Sequence, residues 1–121
     1  MAKVYFDTNV FSDLVGENKF GFDLMAIDNE IFASTLSIHI LAYVLKVKIP
    51  NVRFKSLVEG ITKIDFDNFI LEKSLIGPTD DFEDNIQLHS AVLGGCDSFL
   101  TLDKKLLKMK SFGKVKICDK L

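Results

Sequence analysis

The repeated alternation of short strand-like segments with stretches of helical periodicity most constrains the fold of this chain. Residues 3–6 are rich in β-branched and aromatic side chains and run into Asp7-Thr8-Asn9, a pattern typical of a strand that ends before a helix. Between Leu36 and Val47, apolar residues recur three and four positions apart, which is the spacing of one helix face. This alternation predicts a three-layer α/β/α sandwich with a mostly parallel central sheet of four or five strands.

The same alternation extends along the whole sequence. At 121 residues, of which 48% are hydrophobic, the chain has material for one core, so residues 1–121 are predicted to form a single domain. The predicted strands lie at residues 3–6, 30–34, 61–66, 98–101 and 115–118. The predicted helices lie at residues 10–15 (closed by Gly16), 22–27, 36–47 (before Pro50), 52–59, from the cap Asp67 to Leu75, from Asp80 to Gly94-Gly95, and at 104–109.

The sequence predicts neither a membrane protein nor a secreted one. Asp7 stands where a signal peptide would need its apolar stretch. The longest charge-free apolar run, residues 31–45, is 15 residues long, whereas a membrane span needs about 20. Cys96 and Cys118 form no CxxC pair and are too few for a disulfide scaffold. We therefore expect a cytoplasmic protein with reduced thiols.

Three aspartates fall where an α/β sheet gathers its chemistry. Asp7 follows the first strand, Asp103 follows the strand that ends at Thr101, and Asp84 lies in the first turn of the helix before that strand. Ligands of open α/β sheets bind beyond the carboxyl ends of the strands. Two carboxylates about 4 Å apart repel by roughly 4 kcal/mol at an effective dielectric near 20, so such a cluster must take up protons or hold a cation. Oxygen ligands suit Mg²⁺ or Mn²⁺, which would support phosphodiester hydrolysis.

Each acid also has a purely structural explanation. Asp7 and Asp103 both precede a predicted helix and could cap it. Asp80 and Glu83 stand three residues apart, as in a capping box, which leaves Asp84 without a capping role. Composition and spacing do not decide between capping and catalysis.

Three motifs stand in a fixed order that spans nearly the whole chain. They are YFDTNV at residues 5–10, DNIQLHSA at residues 84–91 and CDSFLTLDKK at residues 96–105. In this order and at these separations they resemble the motifs of PIN domains, and in particular of small VapC-like toxin ribonucleases. The resemblance implies an α/β/α fold, endoribonuclease activity, and Mg²⁺ or Mn²⁺ held by Asp7, Asp84 and Asp103. It also implies that Asn9 and Thr101 are polar neighbours that orient water or a ligand.

The resemblance also implies partners. Many small PIN domains of this length are the toxin half of a toxin–antitoxin pair. Such toxins usually dimerise and are held inactive by an antitoxin. The implied partners are therefore RNA, a second copy of the chain and an antitoxin protein.

One position departs from the family pattern. PIN domains usually carry a glutamate early in the helix after the second strand, and the matching segment STLSIHI, residues 34–40, has Ile40 at that position. Asp81 is the candidate for a replacement acid at the cofactor. His39 lies about 100° around the helix from Ile40. It is a poor Mg²⁺ ligand and is predicted to lie on a half-solvated helix face.

Other interpretations remain open. The missing glutamate favours a degenerate PIN domain that binds RNA or a protein without cleaving anything. A response-regulator phosphoacceptor would need paired acids after the first strand, and a haloacid-dehalogenase-type phosphatase would need an aspartate at Asn9.

His89 is predicted to be structural. The lysines near the end are either contacts to RNA phosphates or a solvated face, and they stand at 104, 105, 108, 110, 114 and 116.

Overall fold

The computed structural model describes residues 1–18 and 28–121 of the chain. In this part the strands are β1 (Ala2–Phe6), β2 (Asn29–Ser34), β3 (Thr62–Ile64), β4 (Ser98–Leu100), β5 (Ser111–Phe112) and β6 (Val115–Cys118). The helices are α1 (Thr8–Asn18), α2 (Thr35–Val44), α3 (Val52–Glu59), α4 (Asn68–Ser74), α5 (Phe82–Leu93) and α6 (Lys104–Met109). The helix predicted at residues 22–27 lies outside the described residues.

The sheet has the strand order β3-β2-β1-β4-β6-β5. Strands β1, β2, β3, β4 and β6 pair in parallel, and β5 pairs antiparallel with β6. The expected mostly parallel sheet is therefore confirmed, but it has six strands within the described part rather than four or five. The additional strand, β5, is two residues long and turns back at Gly113 (φ 59°), so it is too short to produce a readable alternation.

Side chains of the central strand β1 alternate between two cores, because successive strand residues point to opposite faces. Val4 and Phe6 pack in one core with residues of α1, α2 and α3. Tyr5 packs in the other core with Leu88 of α5 and Leu106 of α6. Helices thus cover both faces of the sheet, which confirms the three-layer α/β/α sandwich. In the described part, no helix is both long and apolar enough to cross a membrane.

Helix ends explain where the predicted boundaries were right or wrong. Helix α5 ends as predicted, because Gly95 adopts a left-handed conformation (φ 67°) and Cys96 N donates to Ala91 O at 3.0 Å. Helix α2 ends at Val44 instead of residue 47, because Lys46 takes the same conformation (φ 55°). Lysine gives no signal for this conformation. Helix α1 continues to Asn18, so the predicted stop at Gly16 was wrong.

Side-chain caps position the acids of α5 and α6. Asp67 caps α4 and Asp103 caps α6, as predicted. The prediction that Asp80 begins the long helix was wrong, because Asp81 is the cap and accepts from Asp84 N at 3.0 Å. The turn before α5 sets this register, since Thr79 Oγ1 accepts from Asp81 N. The proposed capping box of Asp80 and Glu83 is therefore replaced by one cap, Asp81.

Candidate functional site

Asp7 leaves β1 at the carboxyl edge of the sheet and is almost completely buried, with 3% of its surface exposed. Its backbone N donates to Leu100 O at 3.0 Å, which fixes it beside the end of β4. Its Oδ1 accepts from Gln87 Nε2 at 3.1 Å, and its Oδ2 accepts from Thr101 Oγ1 at 2.7 Å. Both oxygens are thus held by donors from other elements, and neither donor belongs to the backbone of α1. The capping explanation does not account for this carboxylate.

Thr101 connects two of the three predicted acids. Its fully buried hydroxyl donates to Asp7 Oδ2 and accepts from Asp103 N at 3.0 Å. The direction of both bonds is fixed, since a backbone N–H only donates and a carboxylate only accepts. The single hydroxyl of Thr101 therefore couples Asp7 to the start of α6.

Asp103 combines a structural contact with a position at an open pocket. Its Oδ1 accepts from Lys105 N at 2.8 Å and from Leu106 N at 3.3 Å, so the predicted cap is confirmed. The same half-buried side chain lines a cavity of about 210 Å³, which we call the acidic pocket. The acidic pocket is lined by Thr79, Asp80, Asp81, Asp84, Asp103, Lys104, Lys105 and Leu106.

Asp84 is the acid whose ionisation is most perturbed by this arrangement. Its pKa is raised from 3.8 to about 7, first by partial burial and then by the charges of Asp81, Asp7, Asp103 and Glu83. A carboxylate in the first turn of a helix is normally stabilised by the helix dipole by about 0.3–1 kcal/mol. Burial and like charges outweigh that stabilisation here. The fold therefore concentrates negative charge at this edge from residues that are distant in the sequence.

Two predicted residues stand apart from this charge. Asn9 is exposed in α1, and the lining of the acidic pocket does not include it. His39 is exposed on α2, as expected, and Ile40 is half-buried. Asp81 is exposed, lines the pocket and raises the pKa of Asp84, so it is placed beside the acids as expected of a replacement acid.

His89 has a structural role, as predicted. Its Nε2 lies 2.9 Å from Gly77 O, and its ring packs edge-on against Phe112 with a centroid distance of 5.1 Å. These contacts hold the turn before α5 and the short strand β5 against the helix. His89 is therefore accounted for without a ligand.

Gln87 is the site residue that the sequence analysis missed. It is fully buried in α5 and bonds to Asp7, and its Oε1 accepts from Thr8 N at 2.9 Å and from Thr8 Oγ1 at 3.0 Å. Ser37 of α2 joins the same group, since its Oγ lies 2.7 Å from Thr8 Oγ1 and 3.4 Å from Gln87 Oε1. A signal for Gln87 existed: it stands three residues after Asp84, on the face that continues to the buried Leu88 and Ala91.

The fit of the acids to a metal ion can be judged from their geometry. Within residues 1–18 and 28–121, no three His, Cys, Asp or Glu side chains are arranged so that they could hold one ion together. Mg²⁺ usually keeps several waters and binds through one or two carboxylates and substrate phosphates, so it does not need such a cage. Asp84 and Asp103 in the open pocket offer carboxylate oxygens of this kind.

Lys104 and Lys105 place positive charge on the rim of the acidic pocket. Both are exposed and line it together with the acids. Of the described residues, Lys55 and Glu59 form the one ion pair closer than 4.0 Å, so the charges of both rim lysines are available to other anions.

The site thus consists of a rigid buried acid, an open acidic pocket and two cations beside it. These residues determine the chemistry that the site can perform. A comparison of the chain with protein-family models, with curated proteins and with solved structures finds no match.

Proposed function

We propose that this chain is a metal-dependent endoribonuclease that hydrolyses RNA phosphodiester bonds with Mg²⁺ or Mn²⁺. The observation that carries the proposal is that acids from separate elements, among them Asp84 of α5 and Asp103 at the start of α6, line one pocket at one edge of the sheet. Their charges and that of Asp7 raise the pKa of Asp84. Such convergence is costly for the folded protein unless a cation or protons compensate it. The order of the three PIN-like motifs supports the same assignment.

In the proposed site, Asp7, Asp84 and Asp103 would hold the cation, partly through its waters, because no three side chains of the described residues are arranged to ligate one ion directly. Asp7 is held rigidly by Gln87 and Thr101, so it contributes a fixed negative charge. Asp103 uses Oδ1 for its cap, and its Oδ2 is left for the ion or a water. When bound, the cation activates water and stabilises negative charge on a phosphoryl oxygen.

The rim lysines fit the substrate of this reaction. RNA approaching an acidic pocket is repelled unless cations neutralise the phosphates that flank the scissile bond. Lys104 and Lys105 line the acidic pocket and would neutralise such phosphates. Both lysines stand in the first turn of α6, where positive charge is unfavourable to the helix dipole, so helix stability does not account for their position.

A cleavage assay with two matched aspartate variants tests the proposal. Purified protein is expected to cut single-stranded RNA in Mn²⁺ and to stop when the ion is chelated. Asp103→Asn should abolish cleavage, whereas Asp67→Asn should not, although both residues cap a helix and asparagine caps as well as aspartate. Equal activity of the two variants would remove Asp103 from the mechanism.

A second candidate function is a degenerate PIN-like domain that binds RNA or a protein without catalysis. Two observations favour it: Ile40 stands where the family has glutamate, and the described residues contain no group of three side chains that could hold an ion. RNA binding that persists in chelator, with no cleavage in any divalent ion, would establish this alternative.

The resemblance to VapC-like toxins also leads us to propose a homodimer that is inhibited by an antitoxin. This proposal rests on the sequence motifs alone. Sedimentation of the purified chain measures the dimer. Growth arrest on expression, abolished by Asp84→Asn, would indicate a toxin.

A further inference from the structure

Gln87 connects the start of α1 to the carboxylate of Asp7 through a single buried amide. Its Oε1 accepts from Thr8 N at 2.9 Å. It also lies 3.0 Å from Thr8 Oγ1 and 3.4 Å from Ser37 Oγ, two hydroxyls 2.7 Å apart of which one donates to it. Its Nε2 donates to Asp7 Oδ1 at 3.1 Å. Thr8 N is one of the donors that a helix leaves without a partner in its first turn, so the oxygen of Gln87 completes α1 from another helix.

The orientation of this amide is determined by its partners. The atom next to Thr8 N must be the oxygen, because a backbone N–H can only donate. The nitrogen then necessarily faces Asp7, whose carboxylate accepts. The donor to Asp7 is therefore fixed by the bonds that Oε1 accepts from Thr8 N and from one hydroxyl on the far side of the same amide, and the amide cannot turn over without breaking them.

Gln87 and Thr101 together fix the plane of the Asp7 carboxylate. Gln87 bonds to Oδ1 and Thr101 bonds to Oδ2, and both donors are fully buried. Each carboxylate oxygen has a second lone pair, so two such bonds leave room for an ion or a water. Both donors are neutral, so they orient the acid without cancelling the charge that attracts a cation, as a lysine or arginine would.

We infer that Gln87 is a positioning residue: it holds the Asp7 carboxylate in the orientation needed for metal binding and catalysis. This inference rests on the proposed function for its effect on cleavage, but the orientation itself does not depend on it. Partners of this kind, one bond removed from a metal ligand, typically change metal affinity or activity by about 10–100-fold.

Two substitutions separate positioning of Asp7 from simple support of α1. Gln87→Glu keeps an acceptor for Thr8 N, but its carboxyl group donates to the neighbouring Asp7 only while it holds a proton, so kcat is measured from pH 6 to pH 9. Gln87→Met fills similar space and removes both functions. A role confined to α1 predicts that Gln87→Glu is as active as the unmodified protein at every pH. Positioning predicts that kcat falls by about 10–100-fold in Gln87→Met at every pH and that the kcat of Gln87→Glu falls relative to the unmodified protein as the pH rises, while the KM for RNA stays unchanged.

Ser90→Ala serves as the matched control. Ser90 is a fully buried polar residue of the same helix, and its hydroxyl donates to Ile86 O at 2.6 Å within α5. We expect its kcat and its Mn²⁺ affinity, measured by electron paramagnetic resonance, to equal those of the unmodified protein. Gln87→Met is expected to bind Mn²⁺ about 10–100-fold more weakly. If Gln87→Glu keeps the kcat of the unmodified protein up to pH 9, or if Gln87→Met matches Ser90→Ala, the inference is overturned.

An experiment without metal or RNA separates failure of this inference from failure of the proposed function. In ¹⁵N NMR spectra of the free protein, the Gln87 side-chain protons should exchange slowly with water. The bonded proton should lie downfield and should shift when Asp7→Asn is introduced. Slow exchange and this shift in a protein that cleaves no RNA would sustain the orienting contact and reject the nuclease. Fast exchange, or no response to Asp7→Asn, would overturn the inference even if RNA is cleaved.

Discussion

Asp7 and Asp84 contribute to the same negative charge, but the fold treats them in opposite ways. Asp7 is buried, and each of its carboxylate oxygens accepts a hydrogen bond from a buried neutral donor. Asp84 is half-buried at an open pocket, and its pKa is raised to about 7 by burial and by neighbouring acids. The difference is that neutral donors of the protein stabilise the charge of Asp7, whereas burial and neighbouring acids oppose the charge of Asp84.

This comparison suggests a division of labour within the site. A carboxylate that is held by two hydrogen bonds is part of the folded structure, so removing its charge harms stability. A carboxylate that repels its neighbours destabilises the folded protein, and a cation that binds there relieves the repulsion and stabilises the fold.

Neutralising each acid in turn should separate stability from activity. Asp7→Asn and Asp84→Asn should each reduce RNA cleavage by more than about a hundredfold, beyond the effect of a residue that only supports a ligand. Asp7→Asn should also lose about 1–3 kcal/mol of unfolding free energy, because an amide nitrogen would face a buried donor. Asp84→Asn should be at least as stable as the unmodified protein at pH 8. Urea unfolding at pH 8 measures the unfolding free energy of each variant. A similar loss of unfolding free energy in the two variants would contradict the comparison.

Thr101→Val tests how much the hydrogen bonds of Thr101 to Asp7 and Asp103 contribute to stability. The substitution removes the hydroxyl that donates to Asp7 and accepts from Asp103 N, so we expect a loss of about 1–3 kcal/mol. The control is Thr62→Val, since Thr62 also donates to a carboxylate, Glu30 Oε2, at 2.8 Å, but in a half-buried position. Thermal unfolding should show a clearly smaller loss for Thr62→Val. Equal losses would mean that burial adds nothing to the bond at Thr101.

The pH dependence of stability should reveal the opposite character of Asp84. Its pKa is raised from 3.8 to about 7, so the folded protein binds this proton more tightly than the unfolded chain does. Stability should therefore fall as the pH rises from about 4 to about 7 and then level off. Asp84→Asn should reduce that slope, and so should saturating Mn²⁺. Unfolding free energies that rise over this pH range in the unmodified protein, and equally in Asp84→Asn, would contradict the raised pKa.

The sequence was sufficient for those parts of the fold that depend on local pattern. Helices α3 and α6 and strand β6 have the predicted bounds, because apolar periodicity and capping residues act over a few neighbouring positions. The early end of α2 was missed because Lys46 takes a conformation usually left to glycine. The start of α5 was misplaced by one residue, because Thr79 and Asn85 fix the preceding turn through the bond from Thr79 N to Asn85 Oδ1.

The candidate site shows the same limit more sharply. The positions of Asp7 and Asp103 at strand ends followed from the alternation of elements, since carboxyl ends of parallel strands share one edge. The bond from Gln87 to Asp7 joins residues 80 positions apart, and no local pattern reports such a contact. The raised pKa of Asp84 likewise depends on distances between acids from three parts of the fold, namely the end of β1 and the starts of α5 and α6. Sequence thus indicated which acids to consider, and only the assembled fold shows how differently two of them are held.

The smallest expected effect concerns the two lysines on the rim of the acidic pocket. Lys104→Gln and Lys105→Gln should each raise the KM for RNA severalfold at low salt and leave kcat unchanged, because both lysines line the acidic pocket without an ion pair closer than 4.0 Å among the described residues. Loss of one phosphate contact should also lower the salt dependence of binding by about 0.7 in log–log slope for single-stranded RNA. Lys114→Gln is the control, since Lys114 precedes β6 and so lies at the opposite edge of the parallel sheet.

These lysine variants decide whether RNA reaches the acidic pocket from the side of α6. A reduced slope for Lys104→Gln and an unchanged slope for Lys114→Gln would place the phosphates beside Asp84 and Asp103, where repulsion is strongest and a cation is most needed. Equal slopes for all three variants would mean that the lysines form a solvated face. Protons or an ion would then have to relieve the repulsion that raises the pKa of Asp84, without help from the substrate. That result would favour the non-catalytic binding domain over the nuclease.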